Sequence, residues 1–374
     1  MPRHAKYTDI FDDLREQLLD GKFSEKNRLP SEAQLVHKYG VSRPTAARAL
    51  RELQSAGFVE RRVGAGTFAR RIMESDMKGD ALIGLIVPGI GITEIFDVIC
   101  GRLIGLARTH RFSVVWSGTP AGLPASGSPT EQAEEYCREL IGRKAQGVFF
   151  APFGWLNGQA QMNRQIAGCL RVAGIPVVLL DCDVVPFPQR SDFDLVGIDN
   201  FDAAYTVTEH LVSLGCGRIQ FIASSNMAPT IAARYAGFRE ALLSQGIKVN
   251  TGGCPPTDPA DKQRVSELLK SKPDAFVCAN DFKAGVLMRT LETLGVHVPN
   301  DVRIVGFDDV KYATLLRVPL TTMHQPCNDI AAVAWQVMQN RLNNPALPPC
   351  TVSLAAHLVV RQSCGTYLGD HKSG

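Results

Sequence analysis

Two sets of residues in this chain have types and spacings suited to chemistry. The first is basic and local. Residues 41–71 hold seven Arg against two Glu, and Arg43, Arg48 and Arg51 recur at near-helical spacing before Arg61-Arg62 and the turn Gly64-Ala65-Gly66. Guanidinium groups bridge guanine edges and neutralise phosphates, and a glycine tip lets backbone approach a groove or a phosphate. The second set is rich in carboxylates and amides. Asp181 and Asp183, Asn226, Asn280-Asp281 and Asp308-Asp309 each follow an apolar run, and Arg234 lies early in the helical pattern after 219–223. A sugar hydroxyl donates to a carboxylate and accepts from Arg or Asn, so this set suits a polyhydroxylated ligand. Phe96, Phe153 and Trp155 are the aromatic residues placed to give it a stacking face.

These residues need elements to position them. Ile10, Phe11, Leu14 and Leu18 mark one helical face that ends at Gly21. Ser31 with Gln34 three residues later is a capping box, predicting a short helix that ends near Tyr39. Ser42 caps the next helix, with Pro44 in its first turn. Ala46, Ala49, Leu50 and Leu53 form its apolar stripe, which leaves Arg43, Thr45, Arg48 and Arg51 mostly off the core. Gly57 stops that helix, and 58–61 and 67–70 read as two strands around the glycine turn. The layout is a winged helix-turn-helix.

The texture changes after the polar stretch 72–80. Apolar runs at 82–87, 114–116, 147–151, 177–180, 219–223, 275–278 and 304–307 alternate with helical patterns such as 200–214 and 231–245. Short, fully apolar runs fit parallel strands covered on both faces, and the alternation gives βαβ units. There are too many strands for one small sheet. The expected fold class is therefore α/β, a small winged helix-turn-helix domain followed by two lobes of doubly wound parallel sheet with a cleft between them.

Composition narrows the function classes. The 374 residues are 45% hydrophobic and 21% charged, normal for packed domains. Net charge is only +3, but residues 1–78 carry fifteen Lys and Arg against eleven Asp and Glu, and the remainder 25 against 26. The positive charge is local, as a phosphate-binding footprint should be. The ten cysteines include no CxxC spacing and read as buried free thiols. No signal core and no apolar run near the ~20 residues of a membrane span are present, so a cytoplasmic protein without a membrane partner is expected. GxSxG, P-loop, HExxH and dinucleotide fingerprints are absent, and the His residues show no metal spacing. Asp308-Asp309 as an acid pair for hydrolysis lacks partners. No enzyme, metal or cofactor is expected.

For each lone Asp the plain alternative is a helix cap or loop carboxylate, and for the Arg face a solvated helix. Taken as sets, they favour binding. Two rival classes remain: a transport-type sugar-binding protein, and a carbohydrate-acting enzyme with an attached DNA-binding module. The first should have a signal peptide and no DNA-binding segment. The second needs an acid–base pair or a metal set near Asp308.

The motifs carry a resemblance. LPSE at 29–32, VSRPT at 41–45 and GAGTF at 64–68 make residues 7–70 resemble the winged-helix domain of the gluconate-repressor (GntR) family. IGLIVP at 83–88, VGIDN at 196–200, RYAGF at 234–238, CAND at 278–281, PNDVRIVGFDD at 299–309, PLTTMHQP at 319–326 and VRQS at 360–363 make residues 81–364 resemble the effector domain of the lactose/galactose repressor family, related to periplasmic sugar-binding proteins. The first resemblance implies DNA contacts from Arg43, Thr45, Gly64 and Gly66, to which Ser42, Arg48 and Arg61 are added as neighbours on the same helix and wing. The second implies a sugar site of Arg234, Asn280, Asp281, Asp308 and Gln325, with Asp183 or Asp181 as the carboxylate after the fourth strand. Ala33 and Ala47 stand where many winged-helix relatives have Arg, so the operator sequence does not carry over.

The expectation is thus a ligand-responsive transcription regulator, a repressor, that binds double-stranded operator DNA as a homodimer and a monosaccharide between its lobes. Its domains would be 1–71 (winged helix), 72–80 (linker) and 81–364 (two lobes). Chain crossings near 190, 325 and 345 would divide the last into 81–190 with 326–343, and 191–325 with 345–364.

Overall fold

The structure is a computed structural model, and it describes residues 7, 10, 11, 13, 14, 17, 29–55, 59–62, 66–69, 81–88, 94–118, 127–154, 158–224, 227–249 and 254–367. Expectations placed on Leu18, Gly21, Gly57, Gly64, Trp155, Asn226 and the 72–80 linker fall outside these residues. The chain forms two compact units, 1–80 and 81–374.

In the first unit, α1 is Glu32–Tyr39, α2 Arg43–Ser55, β1 Val59–Arg62 and β2 Gly66–Ala69. Residues 7, 10, 11, 13, 14 and 17 are helical. The capping box at Ser31 is formed: Gln34 N donates to Ser31 Oγ (3.3 Å) and Ser31 N to Gln34 Oε1 (2.8 Å). Gly40 ends α1 at φ +63°, a conformation that disfavours other residues, and its N–H returns to Val36 O. The apolar stripe is buried as its spacing requires, with Ala46, Ala49 and Leu53 at 0% exposure beside Ile10, Leu14 and Leu35. Each buried Leu or Ile contributes about 1.5–3 kcal/mol, which gives this small unit its core. β1 and β2 pair antiparallel, and Leu29 N donates to Thr67 O (2.8 Å), tying the wing to the approach of α1.

The second unit starts with β3 Ala81–Ile86, α3 Glu94–Thr109, β4 Phe112–Ser117, α4 Pro129–Gly142, β5 Gly147–Phe150, α5 Gln159–Val172, β6 Val177–Leu180 and β7 Asp194–Ile198. It continues with α6 Asn200–Ser213, β8 Ile219–Ile222, α7 Pro229–Ser244, α8 Lys262–Leu269, β9 Ala275–Cys278, α9 Asp281–Thr293, β10 Arg303–Asp308 and β11 Thr321–His324. It finishes with α10 Cys327–Asn343, β12 Thr351–Leu354 and β13 His357–Val359. Two sheets result, ordered β12-β7-β6-β5-β3-β4 and β13-β11-β10-β9-β8. Both are covered on each face. Phe149 and its neighbour Phe150 on β5 point to opposite faces and enter different apolar clusters. Gly237 lets α7 lie against α6, since a Cβ there would overlap the carbonyl of Phe201.

The topology differs from the sequence expectation in two respects. The crossings near 190 and 345 are displaced to the junctions β7–α6 and β12–β13, because β7 and β12 are strands of the first sheet. The charged Asp194 at the start of β7 and the alternating Thr and Ser of β12 hid them. Asp194 opens β7 only because Arg341 Nε and Nη2 (both 2.9 Å) and Cys350 N (2.9 Å) satisfy its carboxylate. The second sheet is also not wholly parallel. β13 enters from the end where β11 leaves, His357 pairing with His324, and so must run antiparallel. Among the described residues no helix is long and apolar enough to cross a membrane.

Candidate functional site

The helix α2 presents the basic face of the first unit. The Arg43 side chain is 80% exposed and pairs with Glu32 at 3.4 Å. An exposed pair of this kind is worth about 0–1 kcal/mol, so Arg43 is free to exchange it for phosphate or a base edge. Arg48, also exposed, lies with its guanidinium 4.0 Å over the Tyr7 ring, which fixes its direction. Ser42 Oγ caps α2 through Thr45 N (3.4 Å) and shares a hydrogen bond with Thr45 Oγ1 (2.8 Å). Arg61 lies on β1 opposite Thr67, and Gly66 opens β2 opposite Arg62.

The second unit brings a different set together where β6, β10 and β11 end. Arg234, on α7, is 4% exposed. Its Nε donates to Asn200 Oδ1 (2.8 Å) and its Nη1 to Ala279 O (2.7 Å). Its Nη2 lies 3.7 Å from Asp308 Oδ1, and the guanidinium sits 4.5 Å over the Phe307 ring. Gln325, 2% exposed, donates through Nε2 to the same Asp308 oxygen (2.7 Å). Asp308 and Asp181 carry φ of +111° and +67°, in a region that only glycine enters freely. Such strain costs about 1–3 kcal/mol at each residue and gathers at binding sites.

Electrostatics joins the first lobe to this group. The buried Oδ1 of Asp181 has no hydrogen-bond partner among the described residues. Burial pushes its carboxyl up to about 6, Arg234 pulls it down, and Asp308 raises it again. Burial also raises Asp308, against Arg234 and the Gln325 hydrogen bond. Two carboxylates thus share one buried guanidinium. A polar contact also spans the lobes: Lys311 N donates to Glu94 Oε2 at 2.7 Å.

Some expected site residues have other duties. Of the two carboxylates after β6, it is Asp181 and not Asp183 that lies within electrostatic reach of Arg234 and Asp308. The Asp183 side chain is folded back on its own loop, where Val185 N (3.2 Å), Ser191 N (3.1 Å) and Arg190 all reach it. Asp281 is fully buried and accepts from Thr322 Oγ1 (2.6 Å) and Val310 N (3.1 Å). Burial, then Asp308, pushes its carboxyl up to about 8, so it acts as an internal tie between α9 and strands β10 and β11. Asn280 caps α9 by accepting from Lys283 N (3.0 Å). Asp309 turns to Arg361 (2.6 Å) and His324 (2.9 Å). Phe96 and Phe153 are buried in separate cores, Phe153 stacked on Tyr136 at 5.9 Å, so neither supplies a stacking face. Sequence reasoning missed Asn200, which orients Arg234. Its signal was its place directly after a strand, in the stretch VGIDN. It also missed Phe307 and Glu94, whose roles depend on partners far away in sequence.

Residues 6–69 match the model for bacterial regulatory proteins of the gntR family, and residues 208–364 match a periplasmic binding protein-like domain. The arabinose metabolism transcriptional repressor of Geobacillus stearothermophilus is 25% identical over 343 residues, covering 89% of this chain and 90% of that protein. The transcription regulator CcpA of Lactococcus lactis shares the fold with a TM-score of 0.64 at 21% identity, over 76% of this chain and 99% of that one. A LacI family transcriptional regulator from Enterococcus faecium with bound ribose gives a TM-score of 0.61 at 24% identity, over 75% and 98%. The first unit thus carries the gntR-family match over residues 6–69, and the two-lobed unit carries the periplasmic binding protein-like match over residues 208–364.

Proposed function

We propose that this chain is a ligand-responsive transcriptional repressor that binds operator DNA through α2 and the wing and a monosaccharide through the cleft. The observation that carries the ligand half is the buried, unpartnered Oδ1 of Asp181 within electrostatic reach of Arg234 and Asp308. An unsatisfied buried acceptor costs about 1–3 kcal/mol, and a sugar hydroxyl that donates to it removes that cost. Arg234 and Gln325 supply donors for the ring oxygens, while Asp308 accepts.

The DNA half rests on the exposed Arg43 and on the gntR-family match. A good bidentate Arg–base pair contributes about 1–3 kcal/mol of discrimination. One short helix with two or three such contacts is too weak alone, so a homodimer on a two-fold site is the working form. Ligand drawing the lobes together would alter the dimer and hence the spacing of the two recognition helices. The relatives' names point to repression and to pentoses, and the polar cleft fits that class.

The test is a thermal-shift screen against L-arabinose, D-ribose, D-xylose, D-glucose and adenine, followed by mobility shift on upstream DNA with each hit. A ligand at ~100 times its dissociation constant adds about 2.7 kcal/mol of stability. A sugar that stabilises the protein and changes its DNA affinity supports the proposal. Stabilisation by adenine alone, or turnover of any sugar, overturns it.

A further inference from the structure

Two imidazoles meet at the edge of the second sheet, beside the cleft. His324 is the last residue of β11 and His357 the first of β13, and the two are register partners in that antiparallel pair. Directly opposite residues share a face of the sheet. Here the ring centroids lie 4.6 Å apart, with the planes at 40°. His357 is exposed, and the His324 side chain is 37% exposed. A carboxylate fixes one ring. His324 Nδ1 lies 2.9 Å from Asp309 Oδ2, while Arg361 Nη2 donates to the other Asp309 oxygen at 2.6 Å. A carboxylate only accepts, so Nδ1 carries the proton and the neutral ring keeps its lone pair on Nε2. A carboxylate behind one ring nitrogen is the usual support of a metal-ligating histidine. The same carboxylate offsets the Arg361 charge, which would otherwise repel a cation.

We propose that His324 and His357 together bind a divalent transition-metal ion of the Zn²⁺ or Co²⁺ type, with Asp309 orienting His324. Ring nitrogens suit such ions, whereas Mg²⁺ and Ca²⁺ take oxygen ligands. Two imidazoles that share an ion at about 2.0–2.1 Å, roughly 90–110° apart around it, have centroids about 4.5–5.2 Å from each other. The observed 4.6 Å falls in that range, so side-chain rotations alone bring both rings onto one ion. Among the described residues no group of three or more His, Cys, Asp and Glu is gathered to hold a metal, so water completes the shell. Strand pairing rather than sequence spacing joins the two ligands, which is why no motif marks them. The site adjoins the cleft through the backbone. Asp308 and Gln325, the chain neighbours of Asp309 and His324, are hydrogen-bonded to each other at 2.7 Å. A bound ion would fasten the edge strand β13 to the strand that leads into Gln325.

The experiment titrates the metal-free full chain with ZnCl₂ in a calorimeter and follows CoCl₂ by absorption, with MgCl₂ as the control. The expected result is a Zn²⁺ site that His357→Ala, at an exposed position, removes while its melting temperature in EDTA matches the wild type. His324→Ala should remove the same site. Asp309→Asn keeps both ring ligands and should weaken binding by about 10–100-fold. Replacing the two exposed thiols, Cys169→Ala with Cys350→Ala, should leave the site intact. Zn²⁺ binding by His357→Ala equal to that of the wild type overturns the proposal, as does a wild type that binds no Zn²⁺. So does a thiolate absorption band in the Co²⁺ protein that vanishes with the two thiols and takes the site with it.

Discussion

Asp181→Asn separates what the cleft does for the fold from what it does for the ligand. Burial holds the Asp181 carboxyl at about 6 against an ordinary value of 3.8, even after the pull of Arg234. A carboxyl raised in this way supports the fold while it is protonated. That support is complete below about pH 4 and is lost as pH rises through about 6. At 1.36 kcal/mol per pKa unit, the ionised group penalises the fold by about 3 kcal/mol above that range. The amide carries no charge and escapes the penalty, though its new N–H donors find no ready partner. The variant should therefore be more stable than the wild type at pH 8 by about 1–3 kcal/mol, which raises the melting temperature by roughly 2–6 °C in a unit of this size. The difference should disappear only below about pH 4. Sugar affinity should move the other way. Loss of a charged acceptor removes about 1.5–3 kcal/mol, or roughly ten- to a hundredfold in affinity. Differential scanning fluorimetry at both pH values and titration calorimetry with the hit sugar measure the two effects. A variant that is less stable at pH 8, or whose stability follows pH in parallel with the wild type, would refute the electrostatic account. Unchanged sugar affinity would remove Asp181 from the site.

Other outcomes are expected from single changes. Arg43→Ala should abolish specific operator binding in a mobility shift and leave sugar affinity unchanged, since the side chain is exposed and its pairing is weak. Arg234→Ala strips Asp308 and Asp181 of their counter-charge, so it should cost about 3–5 kcal/mol in denaturant unfolding and remove the sugar response. DNA binding in the absence of sugar should persist, and release by sugar in that variant would show the cleft to be wrongly assigned. Leu53→Ala, at a fully buried position, should destabilise the first unit by about 2–5 kcal/mol with no change in calorimetric sugar binding by the second.

The legible parts of this chain are those fixed by local chemistry. The Ser31–Gln34 box, the Gly40 turn and the stripe from Ala46 to Leu53 each need only neighbours within a few residues, and each is formed. The uniformly apolar strands were plain for the same reason. β7 and β12 were not, because the carboxylate of Asp194 is compatible with a strand only through Arg341, 147 residues away. The cleft divides in the same way. Arg234, Asp308 and Gln325 converge as expected. Asp181 and Asp183 were indistinguishable by position, since both follow β6 and the choice depends on a loop that returns Arg190 and Ser191 to Asp183. Asp281 stands beside the cleft sequence but is turned inward by Thr322, a partner from another strand.

The interleaving of the lobes has a consequence for biosynthesis. The first sheet gains its core helix α10, with Trp335, and its edge strand β12 only after strands β8 to β11 of the second lobe have been made. The second lobe in turn waits for β13 and for Ser363, whose hydroxyl donates to Ile304 O and accepts from Thr321 N. On the ribosome neither lobe can close its core until residues 351–363 have been made. A premature stop anywhere before residue 351 therefore leaves two unfinished sheets with open edges rather than one intact lobe. Synthesis of the two-lobed unit is all or none, and the early-emerging first unit can be complete long before Arg234, Asp308 and Gln325 are held in place.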